Sequence, residues 1–358
     1  MVLRNFFIWL STKKRVTSVI ERYGMRYGFA QRFVAGETLA AAMGPATELG
    51  RAGRRVILNL LGENVDTPQD ARRARDTYIE MLETLARAGL DGNISIKLTQ
   101  LGLDFDRELC VSLAQEIAGA AVALGRTIEI DMEGSSYVTP TLDIFEQVQR
   151  QHGNAGVAIQ AYLRRSETDI ERLSEVRPAQ AAALQVPGTP AAPAGLSGPS
   201  RSTGPTGSAG FAGKKGAALP KVRLVKGAYL EPPTIAFQQK GEVDANYRKL
   251  LDQLLAPAGA NGSARFFTAI GTHDPALIDY ACEKIARQEL SADVYEFQMI
   301  YGIRRDLQQQ LFDRGQPLRV YVPFGTAWCP YFMRRLAERP ANVWFVLRSL
   351  FAERKSAI

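Results

Sequence analysis

The sequence predicts an α/β protein closed into a (β/α)8 barrel, and three observations predict it. After residue 52, eight short runs rich in Val, Ile and Leu recur, each bounded by Gly, Asn, Asp or Thr. They alternate with amphipathic stretches of helical period, as parallel strands buried under helices require. Eight such units exceed the usual strand count of an open doubly wound sheet, and no glycine-rich turn follows the first of them.

In chain order, residues 1–52 read as an N-terminal helical segment. There VTSVIERYGMRYGFAQRFV gives a periodic apolar face beside Arg22, Arg26 and Arg32, and helix is expected from residue 12 to about 52. The barrel then fills residues 53–358. Its strands are expected within RVILNLLGEN, GNISIKLT, TIEIDMEG, GVAIQAYL, VRLVKGAYL, RFFTAIGTHD, VYEFQMIYG and RVYVPFGT. Helices with N-cap signals lie between them, as in TPQDARRARDTYIEMLETLARAG and DPALIDYACEKIARQEL. One segment, about 177–221, is dominated by Ala, Gly, Pro and Ser and buries too little apolar surface to offset its ordering entropy. It is expected to be a disordered insert in a helix-to-strand connection, on the barrel face away from the usual site. Its GFAGKKG resembles a phosphate loop, but Lys215 stands where Ser or Thr should hold magnesium, and no strand precedes it. After the eighth strand PYFMRRLAER reads as an extra helix over the barrel mouth, because ANVWFVLRSLFAER can serve as the outer helix.

Composition excludes several classes. A chain of 358 residues with 46% hydrophobic and 23% charged residues folds around a large core. The net charge of +7 is spread along the chain, which gives no nucleic-acid signature. Cys110, Cys282 and Cys329 lack metal or disulfide spacing, and His152 and His273 are the only histidines, so no metal site is expected. FFIWL near the start is too short to span a bilayer. A cytoplasmic protein is expected, with membrane-surface contact left open.

In a barrel the strand C-termini build the site. The polar residues there are Lys97, Asp131, Glu133, Gln160, Arg223, Lys226, Thr272, His273, Gln298 and Tyr321. Charges in apolar strands need partners, and Lys97 and Asp131 on adjacent strands are expected to pair. On the extra helix Tyr331, Arg334, Arg335 and Glu338 share one face at i, i+3, i+4 and i+7. Two guanidiniums aimed into a closed site bind a planar oxyanion. A carboxylate beside Asp131 and Glu133 points to a ligand that also carries a cation, as an amino acid does.

These motifs, LGENV, SIKLT, IDMEG, RLVKGAYLE, THD, EFQMIYGI and YFMRRLAER, occur in order on the expected strands, and the sequence resembles the proline dehydrogenase family over roughly residues 15–355. The resemblance implies FAD-dependent oxidation of L-proline to 1-pyrroline-5-carboxylate, with electrons passed to a quinone-type acceptor and a separate pyrroline-5-carboxylate dehydrogenase downstream; the basic balance and FFIWL could serve a membrane quinone by weak, peripheral surface docking. It implies that Lys97, Arg334 and Arg335 hold the substrate carboxylate, with Glu338 behind the arginines. Asp131 then lies near the substrate, paired with Lys97 or Arg335, while Tyr321 and Tyr331 wall the ring. Gln160, Arg223, Lys226, Gly227, Ala228, Tyr229, Thr272, His273 and Gln298 fall at FAD-contact positions. Leu230 stands where bifunctional relatives often carry Trp. Hydroxyproline dehydrogenase is the nearest rival, and Tyr321 argues against it because a phenol leaves little room for a 4-hydroxyl. A catalytically silent barrel is the rival from another class; His273 as a plain helix cap is the bland reading of that residue.

Overall fold

The computed structural model describes residues 31–176, 219–258 and 263–332. Its strands are β1 (Arg55–Leu60), β2 (Gly92–Ile96), β3 (Ile128–Ile130), β4 (Ala155–Gln160), β5 (Lys221–Val225), β6 (Phe267–Gly271), β7 (Tyr295–Ile300) and β8 (Leu318–Phe324). They close in the order β1-β8-β7-β6-β5-β4-β3-β2, every pairing parallel. The eight expected strands are all present. Helices α1 (Leu39–Arg51), α2 (Pro68–Arg87), α3 (Arg107–Ala123), α4 (Val138–His152), α5 (Ser166–Leu173), α6 (Lys240–Leu255), α7 (Pro275–Arg287) and α8 (Arg305–Asp313) precede or separate them. A two-residue antiparallel ribbon, Pro257–Ala258 with Ser263–Ala264, joins α6 to β6.

Local chemistry sets the helix starts. Thr38, Thr67, Asp106 and Asp274 accept backbone N–H groups of α1, α2, α3 and α7, and Pro68 and Pro275 open two of these helices. Gln239 and Glu242 form a reciprocal cap on α6. The apolar core lies between sheet and helices, where Ile94, Ile96, Ile128, Ile130, Val222 and Leu224 are fully buried with Leu82, Leu113 and Leu250. The barrel interior is ionic instead. Side chains of β3, β5, β7 and β8 meet there across strands that are not neighbours in the sheet.

Two expectations are corrected. Residues 31–38 are turn and extended chain rather than helix: Ala35 N–H donates to Pro323 O (2.8 Å) and Gly325 N–H to Gly36 O (3.0 Å), so this stretch is tied to the end of β8. Helix α1 packs on both β1 and β8. The predicted insert ends too late, because Lys221 opens β5 and is fully buried. A helix begins at 328 and runs to the end of the described residues at 332. The remaining helical expectations at 12–30 and 333–358, and the insert at 177–218, lie outside the described residues. Among those described, no helix is long and apolar enough to cross a membrane.

Candidate active site

Asp131 sits one residue past β3, its N–H still donating to Ile96 O at 2.9 Å, and its carboxylate gathers four donors. Ser95 Oγ (2.5 Å), Tyr321 hydroxyl (2.7 Å) and Asn59 Nδ2 (3.3 Å) reach it from β2, β8 and β1, and the Arg223 guanidinium reaches it from β5. Burial alone would raise its pKa, but Arg223, Lys97 and the Ser95 and Tyr321 bonds outweigh burial and hold it below the usual carboxylate range. Burial first, then Asp131, pushes the Tyr321 hydroxyl well above its ordinary value. Arg223 also lies 3.3 Å from Glu129 and stacks under the Tyr321 ring at 5.4 Å. In register, Arg223 is flanked by Ala158 of β4 and Ala269 of β6, small residues that leave the guanidinium room.

The expected Lys97–Asp131 pair is not made. Arg223 takes the carboxylate, and Lys97 acts on it only through space. Lys97 is 7% exposed, and its ammonium makes no hydrogen bond or ion pair among the described residues. Its backbone N–H donates to the buried Tyr78 hydroxyl (3.2 Å), which in turn donates to Gln100, so the segment after β2 is fixed although the side chain is not. Glu133 accepts from Thr99 Oγ1 (2.6 Å) and Thr99 N–H (3.2 Å); burial, opposed by those bonds, raises its carboxyl to about 7.

The other expected residues line the same end of the barrel. Gln160 Nε2 donates to Glu133 O at 2.8 Å. Lys226 is held by Asp244 (2.5 Å) and Asp274 (2.7 Å). Gly227 has φ +109°, and a Cβ there would lie 2.1 Å from the Tyr162 ring, so only glycine lets this loop rest on Tyr162. Ala228 and Tyr229 follow it, half-buried. Thr272 Oγ1 accepts from Asp274 N–H (3.2 Å), and His273 Nε2 accepts from Ile300 N–H (2.8 Å). His273 is therefore not the cap of α7; Asp274 is. Tyr331 is buried on the helix that begins at 328, near enough to raise the Tyr321 pKa further. That helix is anchored by Trp328 Nε1 donating to Glu37 (3.2 Å) and by Phe332 against Phe33. Arg334, Arg335 and Glu338 lie outside the described residues.

Beneath the site runs a column of alternating charge that the sequence reading missed. Glu129 meets Lys221 (2.5 Å), Lys221 meets Glu296 (2.8 Å), and Glu296 takes Arg319 at 2.9 and 3.0 Å, with Arg55 at 3.6 Å. Gln298 bridges Glu129 and Glu296 at 2.9 and 2.8 Å. The missed residues stand two positions from expected ones: Glu129 from Asp131, Lys221 from Arg223, Glu296 from Gln298, Arg319 from Tyr321. The period of two was the available signal. Among the described residues, Arg223 Nε and Gln298 Oε1 are buried without a hydrogen-bond partner. A donor and an acceptor left open in this way suit a ligand with a polar, planar edge, and the flavin ring of FAD has one.

The model of the family described as proline dehydrogenase matches residues 42–186 and 208–348. The chain belongs to the proline dehydrogenase family. Proline dehydrogenase 1 of Bacillus subtilis subsp. natto is 33% identical over 349 residues, covering 98% of this chain and 99% of the relative. The proline dehydrogenase of Deinococcus radiodurans is 33% identical over 350 residues, covering 94% and 97%. The crystal structure of proline utilization A (PutA) from Bdellovibrio bacteriovorus, inactivated by N-propargylglycine, superposes with a TM-score of 0.69 at 21% identity, over 86% of this chain and 32% of that one. That likeness shows the shared barrel fold.

Proposed function

We propose that the chain oxidises L-proline to 1-pyrroline-5-carboxylate using FAD, with a quinone-type compound as the onward electron acceptor. One observation carries this reading: Lys97, a 7% exposed side chain whose ammonium makes no hydrogen bond or ion pair among the described residues, stands beside a carboxylate that Arg223 already neutralises. A cation at the end of a largely buried side chain attracts an anion into the barrel mouth, and a substrate carboxylate supplies one. Arg334 and Arg335 complete the clamp, with Glu338 behind them. Tyr321 and Tyr331 enclose the pyrrolidine ring, and a Tyr321 phenol held by Asp131 against that ring leaves little room for a 4-hydroxyl, which favours proline over hydroxyproline.

FAD, when bound, supplies the hydride acceptor. Arg223, Gln298 and Gln160 with the segment 226–229, Thr272 and His273 are the residues to hold it. Arg223 is locked between Asp131 and Glu129, so it presents a fixed positive charge that needs no reorganisation as negative charge grows beside it. His273 accepts the Ile300 N–H, which pins the loop after β6 to the end of β7 and fixes the imidazole ring at the mouth. The substrate amine must be neutral for its lone pair to assist hydride departure, so activity rises with pH through an ionisation of the enzyme–substrate complex. A weak membrane contact through residues 1–14 would serve quinone delivery, and a separate dehydrogenase would consume the pyrroline product.

The test is the visible spectrum of the anaerobic protein before and after L-proline, with trans-4-hydroxy-L-proline in comparison. Flavin bands bleached by proline and spared by hydroxyproline are expected; a protein that takes up no flavin, or flavin that proline never bleaches, would overturn the reading. Co-sedimentation with anionic vesicles should be lost on deleting residues 1–14, and unchanged binding, or none at all, argues against the membrane contact.

A further inference from the structure

We propose that Glu231 is a positioning residue that fixes the loop after β5, which carries the cofactor-side residues, against the loop after β3, which carries Asp131 and Glu133. The inference rests on the site assignment proposed above. In the barrel β3 and β5 are not neighbours, because β4 lies between them, so no strand ladder ties their loops together. Glu231 spans the gap. One of its carboxylate oxygens accepts the Ser135 N–H (2.7 Å) and the other accepts the Ser135 hydroxyl (2.6 Å). Ser135 opens a short 3-10 turn whose Gly134 residue makes no side-chain cap, so the Glu231 carboxylate supplies the acceptor that the turn lacks.

The segment 226–237 forms an arch. One foot is tied where Tyr162 N–H donates to Lys226 O (2.8 Å), the other where Phe237 N–H donates to Tyr162 O (2.8 Å) and Arg164 N–H to Ile235 O (3.0 Å). Both feet therefore stand on the loop after β4. The crown of the arch holds the exposed Leu230 and the Pro232–Pro233 pair, and Glu231 joins this crown to the β3 loop. Gln238 Nε2 braces it from the far side by donating to Glu231 O (3.2 Å) and Ala236 O (2.9 Å). The consequence is geometric. Residues 227–229 stand between one foot and the clamp, and Asp131 stands four residues before Ser135, so the clamp fixes the separation between the cofactor-holding and substrate-facing sides of the mouth.

A clamp of this kind governs alignment more than substrate capture, since Lys97 belongs to a different loop. Glu231→Ala is expected to lower kcat roughly tenfold while leaving KM for L-proline within about twofold, the pattern of lost orientation. The FAD dissociation constant, read by flavin fluorescence independently of turnover, should rise roughly tenfold as residues 227–229 lose their brace. Ser135→Ala keeps the N–H bond and should show a smaller loss of the same kind. The double variant should be no worse than Glu231→Ala alone, because both act through one contact. Glu231→Gln, which still accepts the Ser135 N–H, should recover part of both quantities.

Additive losses in the double variant, wild-type kcat and FAD affinity in Glu231→Ala, or a rise in KM with kcat unchanged would each overturn the clamp. If Glu231→Ala does not fold, Glu231→Gln and Ser135→Ala carry the same comparison. A wild-type protein that takes up no FAD would overturn the proposed function and this inference together; a wild type that binds FAD and bleaches with proline, with variants that behave identically, would overturn this inference alone.

Discussion

Replacing Lys221 by Met tests whether the column of charge under the site is a working part of the fold. Lys221 is 1% exposed and sits between Glu129 at 2.5 Å and Glu296 at 2.8 Å. Gly156, its neighbour in register on β4, leaves space for its stem: a Cβ there would lie 3.1–3.2 Å from the Lys221 methylenes. Met keeps most of the stem's volume and removes the charge. The two carboxylates are then left unequally provided. Glu296 retains Arg319 and Arg55, whereas Glu129 retains only the longer Arg223 contact and Gln298. Breaking a buried pair on one side costs about 3–5 kcal/mol, and the surviving partners place this case near the lower end, about 3 kcal/mol. In a chain of this size each kcal/mol moves the unfolding midpoint by about 2 °C, so Tm should fall by roughly 6 °C. Calorimetry and urea titration of the single variant, Glu129→Gln and the double variant would measure it. The double should lose less than the sum, by about 1–2 kcal/mol, since the neutral amide introduced by Glu129→Gln no longer needs the cation. Acid behaviour gives a second reading. Burial would raise the Glu296 carboxyl, but Arg319 and Lys221 pull it well below its ordinary value. Its stabilising contribution is therefore present above the unfolded value near 4.3 and is lost as pH falls through the folded one. Lys221→Met should flatten that acid loss. A single variant within about 0.5 kcal/mol of wild type, or strictly additive double-variant losses, would refute the reasoning.

Glu133 titrates in the opposite sense: burial, eased by Thr99, holds its carboxyl at about 7, so its protonated form favours folding below about 4.5 and that advantage disappears as pH rises through 7. Glu133→Gln should therefore gain on wild type by up to about 3 kcal/mol between pH 5 and 8, seen as a Tm difference that widens with pH. Gly227→Ala forces a Cβ to within 2.1 Å of Tyr162 at φ +109°, and should lower the flavin-to-protein ratio of purified enzyme, measured by absorbance, without a comparable loss of Tm. Tyr321→Phe removes one donor from Asp131 and should reduce kcat/KM for L-proline roughly tenfold, the worth of one hydrogen bond to a charged group.

Much of the fold was legible because parallel strands sheathed by helices must be apolar on their outer face. Val56 and Leu58 of β1, Ile94 and Ile96 of β2, Val222 and Leu224 of β5, and Val320 and Val322 of β8 meet that demand and make those strands readable in the sequence. Helix starts were equally readable, since Thr67–Pro68 and Asp274–Pro275 act within a few residues of themselves. Short-range chemistry of this kind is complete in the sequence. The positions of Lys97 and Asp131 just past strand ends, and of Arg223 and Tyr321 within strands, were readable for the same reason, as charged or polar residues in apolar runs.

Only the closed structure decided how those residues pair. Strand order places Arg223 of β5 across the barrel from Asp131 after β3, at the right depth to take the carboxylate that sequence reasoning gave to Lys97. Closure also turned Glu129, Lys221, Glu296 and Arg319 toward a common axis, where each satisfies the next; they lie on four different strands, so nothing local in the chain pairs them. Helix α1, which precedes the first strand, packs on the last one as well as on the first, a contact that only closure of the barrel makes. Sequence by itself determined the number and kind of elements, because propensity, capping and apolar periodicity act over a few residues. Tertiary structure decided the partners, because the low dielectric of the barrel interior lets a charge persist there only beside an opposite one, and which opposite charge is nearest depends on how the eight strands close.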